Sequence, residues 1–375
     1  IGKRFPSWMV NDVNSSGSSF LLDNMVELEL INCYECTCIP SLGLLPSLKV
    51  LYIVRMENVR RMGHELQLDG AESIRLFPAL KTLIVRGMKR LEEWVEVVED
   101  VAAGSQGVIV FPSLKKLLIF DCPLLKTWST GGFSSHHKLS ELWIEQCSNL
   151  MAIPGLDGLS ALKKFQLRSC NGLTSLPIGL GSCICLQSLE IKGCHGLTSL
   201  PSCISLWLLQ IEDCPNLNSI PSINGLTSLK RLNLFGCHGL TCLPIGLDSC
   251  NSPPQLTIIR CSNLISIFDY NGILRSINVL TIINCENLRR IQTGLGCCSS
   301  LQKLEIKDCP NLISIAEDIG KLHSLSSIHT GLGYSISLQK LEIEFCPNLI
   351  SIPDGIEKLC SLSVLRIADC ENIRS

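Results

Sequence analysis

The side chains in this sequence best equipped for chemistry are its thiols, twenty-two cysteines in 375 residues. Thiolates attack electrophiles, pair as disulfides and bind soft metals, so their spacing decides what they can do. Twelve of them stand at one recurrent position: Cys33, Cys122, Cys147, Cys170, Cys194, Cys214, Cys237, Cys261, Cys285, Cys309, Cys346 and Cys370. The close pairs Cys36/Cys38, Cys183/Cys185 and Cys297/Cys298 have neither a partner pair nor a histidine cluster at zinc-site spacing. A buried thiol behaves as a small hydrophobe with a weak S–H donor. One per repeat, at the exit of a strand, can satisfy a backbone carbonyl in the turn. The expectation is reduced, buried, structural thiols and a reducing compartment.

Other chemistry is equally thin. No G-x-x-x-x-G-K-[ST] occurs, and Gly320-Lys321 lacks both the upstream glycine and the hydroxyl residue. Neither G-x-S-x-G nor H-E-x-x-H is present. Of seven histidines, His195 and His238 share a turn position after the cysteine, and the pair His136-His137 reads as a solvated loop tip. Carboxylate pairs such as Glu212-Asp213 belong to an exposed strand face. The residues predict no enzyme, no metal site and no cofactor in this chain.

The elements that position these residues come from a repeated line, clearest in LQSLEIKGCHGLTSLP from Leu186 to Pro201. The template is L-x-x-L-x-I-x-x-C-x-x-L-x-x-[LI]-P. From Cys122 its cysteines recur every 20 to 25 residues apart from one step of 37. A fixed period in this range with this leucine spacing defines a leucine-rich repeat. The expected fold class is α/β, a leucine-rich-repeat solenoid bent into a horseshoe, with a concave parallel β-sheet and an irregular, helix-poor convex face. In L-x-I the leucine and isoleucine point inward and the x residues outward. Fourteen such coils give a sheet roughly 65 Å along its arc.

Residues 1–24 read as the remnant of a truncated repeat and a linker, and 25–375 as the solenoid of about 14 repeats. Met56 and Met88 fill the cysteine slot in two early coils. Insertions fall near 62–76 and 94–110, the second carrying Glu96, Glu99 and Asp100. Pro253 and Pro254 stand where a strand should begin and predict a distorted coil. A duplicated segment near 293–352, with a half-repeat at 325–328, accounts for the step of 37.

Recognition is the function such a sheet can serve, and its outward residues are the candidates. Tyr52, Val54, Ile84, Leu118, Phe120 and Trp143 form an apolar stripe on adjacent coils that no repeat rule demands, continued by Gln166 and Arg168. Phe235, Ile259 and Ile283 form a smaller second patch. A contiguous exposed apolar patch with aromatics marks an interface, unless the insertion at 94–110 folds over it. A basic column (Lys49, Lys81, Lys115, Lys116, Lys163, Lys164, Lys230, Arg231) runs at the start of the strands and reads as a solubilising edge. The formal charge of −2 does not point to nucleic acid. Although 46% of residues are hydrophobic, no apolar run reaches the length of a membrane span. A chain opening at Ile1 with no initiator methionine or leader pattern reads as a fragment.

The repeat, together with FPSWM from Phe5, CIPSLGLLPSLKVLYI from Cys38 to Ile53, FPALK and FPSLK at Phe77 and Phe111, and LEEW from Leu91, resembles one family. These segments are similar to the repeat region of plant intracellular immune receptors that combine a coiled coil, a nucleotide-binding switch and a C-terminal leucine-rich repeat. The extracellular plant repeat template, L-x-G-x-I-P, differs, and no G-x-I-P occurs here. The resemblance implies a cytoplasmic or nucleo-cytoplasmic, non-enzymatic sensor in plant defence. It implies contacts with the receptor's own nucleotide-binding domain and with a pathogen effector or guarded host protein. ADP or ATP would bind in that other domain, outside this chain. Two alternatives stay open: the substrate-recognition repeats of an F-box ubiquitin-ligase adaptor, and a truncated receptor relic without independent function.

Overall fold

The computed structural model describes residues 5, 22–40, 42–63, 75–95, 109–129, 136–201, 205–223, 226–244, 246, 250, 254–267, 277–291, 300–315, 338–352, 356 and 359–374. The centres of both insertions, most of the 1–24 segment, Pro253 and the half-repeat at 325–328 lie outside the described residues. The chain divides into two compact units. The first comprises Ile1–Gln187 with Gly193–Gly196, and the second Ser188–Lys192 with Leu197–Ser375.

Each unit is a leucine-rich-repeat solenoid built on a parallel ladder of five-residue strands. In the first unit these are β1 (Glu27–Ile31), β2 (Val50–Val54), β3 (Thr82–Arg86), β4 (Lys116–Phe120), β5 (Glu141–Glu145) and β6 (Lys164–Arg168). The second holds β7 (Ser188–Lys192), β8 (Leu208–Glu212), β9 (Arg231–Phe235), β10 (Gln255–Ile259), β11 (Val279–Ile283), β12 (Lys303–Lys307), β13 (Lys340–Glu344) and β14 (Val364–Ala368). Neighbours pair without slippage, as in Leu142↔Leu117 and Ile258↔Ile282. A slip of one residue would turn every buried leucine to solvent. The leucine and isoleucine of nearly every strand are buried, as with Leu142, Ile144, Leu280 and Ile282. Each such side chain contributes about 1.5–3 kcal/mol of burial. The strand β14 departs from this, with Leu365 51% and Ile367 37% exposed.

The return paths are irregular. Named helix among the described residues is limited to the 3-10 turn Leu180–Ser182. In the first unit a second, smaller ladder joins Arg61–Met62, Glu93–Val95 and Thr127–Ser129, and stacks Trp94 on Trp128 at 5.3 Å. Gly63, with φ near 100°, abuts the Val95 carbonyl there, where any Cβ would collide with that oxygen.

Backbone nodes hold the coils together at both ends of the strands. At the start, one carbonyl takes two successive N–H groups of the next coil: Lys115 and Lys116 both donate to Lys81 O, and Lys230 and Arg231 both donate to Trp207 O. At the exit, the residue after each strand turns into the left-handed region, from Asn32 at 57° to Asp369 at 52°. Its N–H then donates to the last strand carbonyl of the following coil, as from Asp121 to Glu145 O at 2.9 Å and from Arg260 to Ile283 O at 2.9 Å.

The cysteine completes that second node. Cys122 Sγ donates to Phe120 O at 3.4 Å, Cys147 to Glu145 O at 3.6 Å, Cys309 to Lys307 O at 3.4 Å and Cys370 to Ala368 O at 3.3 Å. The thiol therefore caps a carbonyl in the turn, as its position in the repeat predicts. Every described cysteine is reduced. Burial pushes the Cys285 thiol up to about 12, so it stays protonated and unreactive at neutral pH.

Two expectations need correction. The strand after Pro254 is not distorted: β10 keeps full register with both neighbours. The proline stands just before the strand, where its carbonyl still accepts Asn278 N–H at 3.0 Å, and Gln255 alone donates to Lys230 O at 2.8 Å. The missing proline N–H removes one arm of a two-armed node rather than a rung.

The second correction concerns His136, which is fully buried rather than solvated. It fills the slot that Phe77 and Phe111 occupy in the two preceding coils. The ring centroids are 4.9 Å apart between the phenylalanines and 5.9 Å from Phe111 to His136. Burial, aided by His137, pushes its pKa down to about 4. Because the unfolded chain titrates near 6.5, it binds more protons than the folded chain between those values. Stability is complete above about pH 6.5 and falls as the pH drops toward 4. Urea unfolding of the first unit should lose about 2 kcal/mol between pH 7.5 and 5.0 through this group. His136→Phe should remove that part of the slope; an unchanged slope would contradict the assignment.

Candidate protein-docking surface

On the solvent face of each ladder two outward residues per strand sit between and beyond the buried pair. In the first unit the middle row runs Glu29, Tyr52, Ile84, Leu118, Trp143, Gln166 in register. Tyr52 to Trp143 is an unbroken apolar row across β2 to β5, each residue half-buried. The exit row runs Val54, Arg86, Phe120, Glu145, Arg168, so Arg86 interrupts the stripe between Val54 and Phe120.

The aromatic end is held by contacts among its own side chains. Phe120 meets Trp143 edge-on at 5.0 Å and 87°, a preferred aromatic geometry. The Arg168 guanidinium lies over the Trp143 ring at 5.3 Å, where a cation is attracted by the ring face. Among the described residues the buried Trp143 Nε1 has no acceptor. The indole is thus held by its faces and edges rather than by its N–H. The expected lysines Lys49, Lys81, Lys115 and Lys163 are exposed one residue before the strands. Lys116 pairs with Glu141 at 3.1 Å.

In the second unit Phe235, Ile259 and Ile283 are register partners on β9 to β11, half-buried, and the row ends at Lys307. All eleven expected residues stand on the outward sides of their strands, half-buried.

It missed the closed ion-pair cluster on β12 to β14. Glu342 and Glu344 are only 7% exposed although they stand on the outward side. Lys307 Nζ reaches Glu305 at 2.8 Å and Glu344 at 3.4 Å, Lys340 reaches Glu342 at 3.0 Å, and Arg366 reaches Glu344 at 3.0 Å. Burial opposes the charge on Glu305, yet hydrogen bonds from Lys303 and Lys307 outweigh it and hold its pKa below the usual range. The signal was in the sequence, as the alternation K-L-E-I-K beside K-L-E-I-E.

Among the described residues no group of three or more histidine, cysteine, aspartate or glutamate side chains is placed to hold a metal ion. No described helix is long and apolar enough to cross a membrane.

Residues 1–56 match the family model described as R13L1/DRL21 LRRs. Over 100 residues, 26% of this chain, the sequence is 32% identical to the putative disease resistance RPP13-like protein 1 of Arabidopsis thaliana, and the matched stretch spans 9% of that protein. Solved structures similar to the chain include the leucine-rich repeat domain of the type III effector XopL, with 21% identity, 68% of this chain and 69% of that one covered, and a TM-score of 0.35. The TLR13–ssRNA13 complex is another, with 16% identity, 93% and 58% coverage and a TM-score of 0.35.

The charge cluster yields a stability prediction. Lys307→Met leaves Glu305, Glu342 and Glu344 with one cation each and removes the bridge among them. It should lower the unfolding free energy by about 1–2 kcal/mol. The wild-type contribution of Glu305 is present above the ordinary carboxylate range and is lost as the pH falls through its depressed pKa. Equal denaturation midpoints for wild type and Lys307→Met at pH 7 would contradict a bridging role.

Proposed function

We propose that this chain is a non-enzymatic protein-recognition and autoinhibitory module of a plant intracellular immune receptor. The apolar row from Tyr52 to Trp143 docks the receptor's own nucleotide-binding domain, which carries the ADP or ATP. The second unit's patch at Phe235, Ile259 and Ile283 faces a pathogen effector or a guarded host protein. The observation that carries this reading is the unbroken half-buried apolar row with its Phe120–Trp143–Arg168 end, placed where the repeat asks for no apolar residue. The similarity to disease resistance repeats supports the plant receptor context, and the reduced thiols support a reducing compartment.

Large aromatic anchors dominate protein interfaces, each costing about 1–2 kcal/mol or more when truncated. Phe120→Ala combined with Trp143→Ala should therefore weaken association of the chain with the nucleotide-binding domain at least about tenfold. Both side chains are outward, so the unfolding midpoint should shift far less than binding. Isothermal titration of the two purified parts reads this directly, and wild-type affinity in the double variant would overturn the docking assignment.

A further inference from the structure

The flank of the second unit, just past the strand exits, carries two parallel rows that neither patch uses. The first is asparagine: Asn263, Asn287, Asn311, Asn348 and Asn372, in the motif C-x-N-[LI]. Their amides bridge coils, with Asn311 Nδ2 donating to Glu286 O at 2.9 Å and Asn348 Nδ2 to Pro310 O at 2.8 Å. Each of those bonds uses one amide N–H, and Asn287 Nδ2 lies 3.5 Å from Asn263 Oδ1 in the same row.

The second row stands two residues further on, and backbone bonds fix its order. Ile313 N–H donates to Arg289 O at 2.9 Å, Ile350 to Ile313 O at 3.1 Å and Arg374 to Ile350 O at 2.9 Å. Arg289, Ile313, Ile350 and Arg374 are thus consecutive. Between the two rows lies a groove of about 540 Å³, walled by Asn311, Asn348 and Asn372 on one side and floored by the two isoleucines. Ile350 is 48% exposed. Arg289 and Arg374 close the two ends, both exposed and without an ion-pair partner among the described residues. Glu286 and Glu371 stand next to the asparagine row but do not line the groove.

Adjacent coils are about 4.8 Å apart, so three steps separate the arginines by about 14 Å. An extended polypeptide spans that distance in four residues, at about 3.4 Å each. Its alternate side chains face one way, so residues one, three and five would meet the groove together. We infer that this flank binds an extended acidic peptide segment of another protein, with carboxylates at the first and fifth positions on Arg289 and Arg374 and an apolar side chain at the third on Ile313 and Ile350. Arginine forks match carboxylates in two-point geometry. The asparagines that line the groove offer amide groups to the segment's backbone.

The test is fluorescence anisotropy on the full 375-residue chain, titrated with a fluorescein-labelled Glu-Ser-Leu-Ser-Glu peptide at low salt. The expected result is saturable binding, roughly tenfold weaker for Gln-Ser-Leu-Ser-Gln and for the Arg289→Ala/Arg374→Ala variant, and weaker again at high salt. Because both arginines are exposed, the variant should keep the wild-type unfolding midpoint, which serves as the folding control. Equal affinity for the two peptides, equal affinity of variant and wild type, or no saturable binding up to millimolar peptide would each overturn the proposal.

Discussion

In most coils the carbonyl that ends the strand accepts from two directions, and much of the rest of these solenoids follows from it. One donor is the N–H of a left-handed residue in the preceding coil, and the other is the thiol two residues further along its own coil. At Glu145 O these are Asp121 N–H at 2.9 Å and Cys147 Sγ at 3.6 Å. A buried carbonyl with lone pairs unfilled is costly, and a sheet that ends abruptly at every coil would leave a row of them. The left-handed turn redirects the chain away from the ladder while keeping its last N–H in use. The cysteine is small enough to sit behind that turn and fill the remaining space.

This constraint separates stability from recognition. Once register is held by the nodes at each end and by the buried leucine and isoleucine between them, the outward residues have no part in setting it. They can be glutamate, tryptophan or threonine on neighbouring strands, as they are from Glu29 through Trp143 to Thr281. The node also tolerates partial loss. Met56 and Met88 cannot donate, yet Val54 O still accepts from Asn32 N–H and Arg86 O from Arg55 N–H. Pro254 likewise drops one arm at the strand start without disturbing the pairing of β10. Such tolerance allows a repeat array to drift in sequence while its binding surface changes.

Much of this is legible in the amino-acid sequence alone. The period, the inward pair and the cysteine's capping role follow from the spacing L-x-I-x-x-C, because alternation along a strand and a thiol's chemistry leave few other choices. The left-handed position is legible too, though less directly: Asn32, Gly87, Asp121, Gly193, Asp213, Gly236 and Asn284 are residue types that accept positive φ. Arg55, Arg260 and Phe345 hold the same conformation with no such signature, and only tertiary context reveals them. His136 misleads because a His-His pair looks polar by composition. Its burial depends on Phe111 one coil earlier, a relation across coils rather than along the chain. The same holds for Lys307, whose carboxylate partners Glu342 and Glu344 sit more than thirty residues away in sequence. The arginine–asparagine flank is hidden for that reason as well: its rows exist only once the coils are stacked.

The central functional claim is that the face from Tyr52 to Trp143 is covered by a protein partner when the receptor is at rest. Hydroxyl-radical footprinting with mass spectrometry reads side-chain access directly, comparing this chain alone with its complex with the proposed nucleotide-binding domain. The account predicts reduced oxidation of Tyr52, Leu118, Phe120 and Trp143 in the complex, with Phe235 unchanged. Equal oxidation of those four side chains in both states would contradict it.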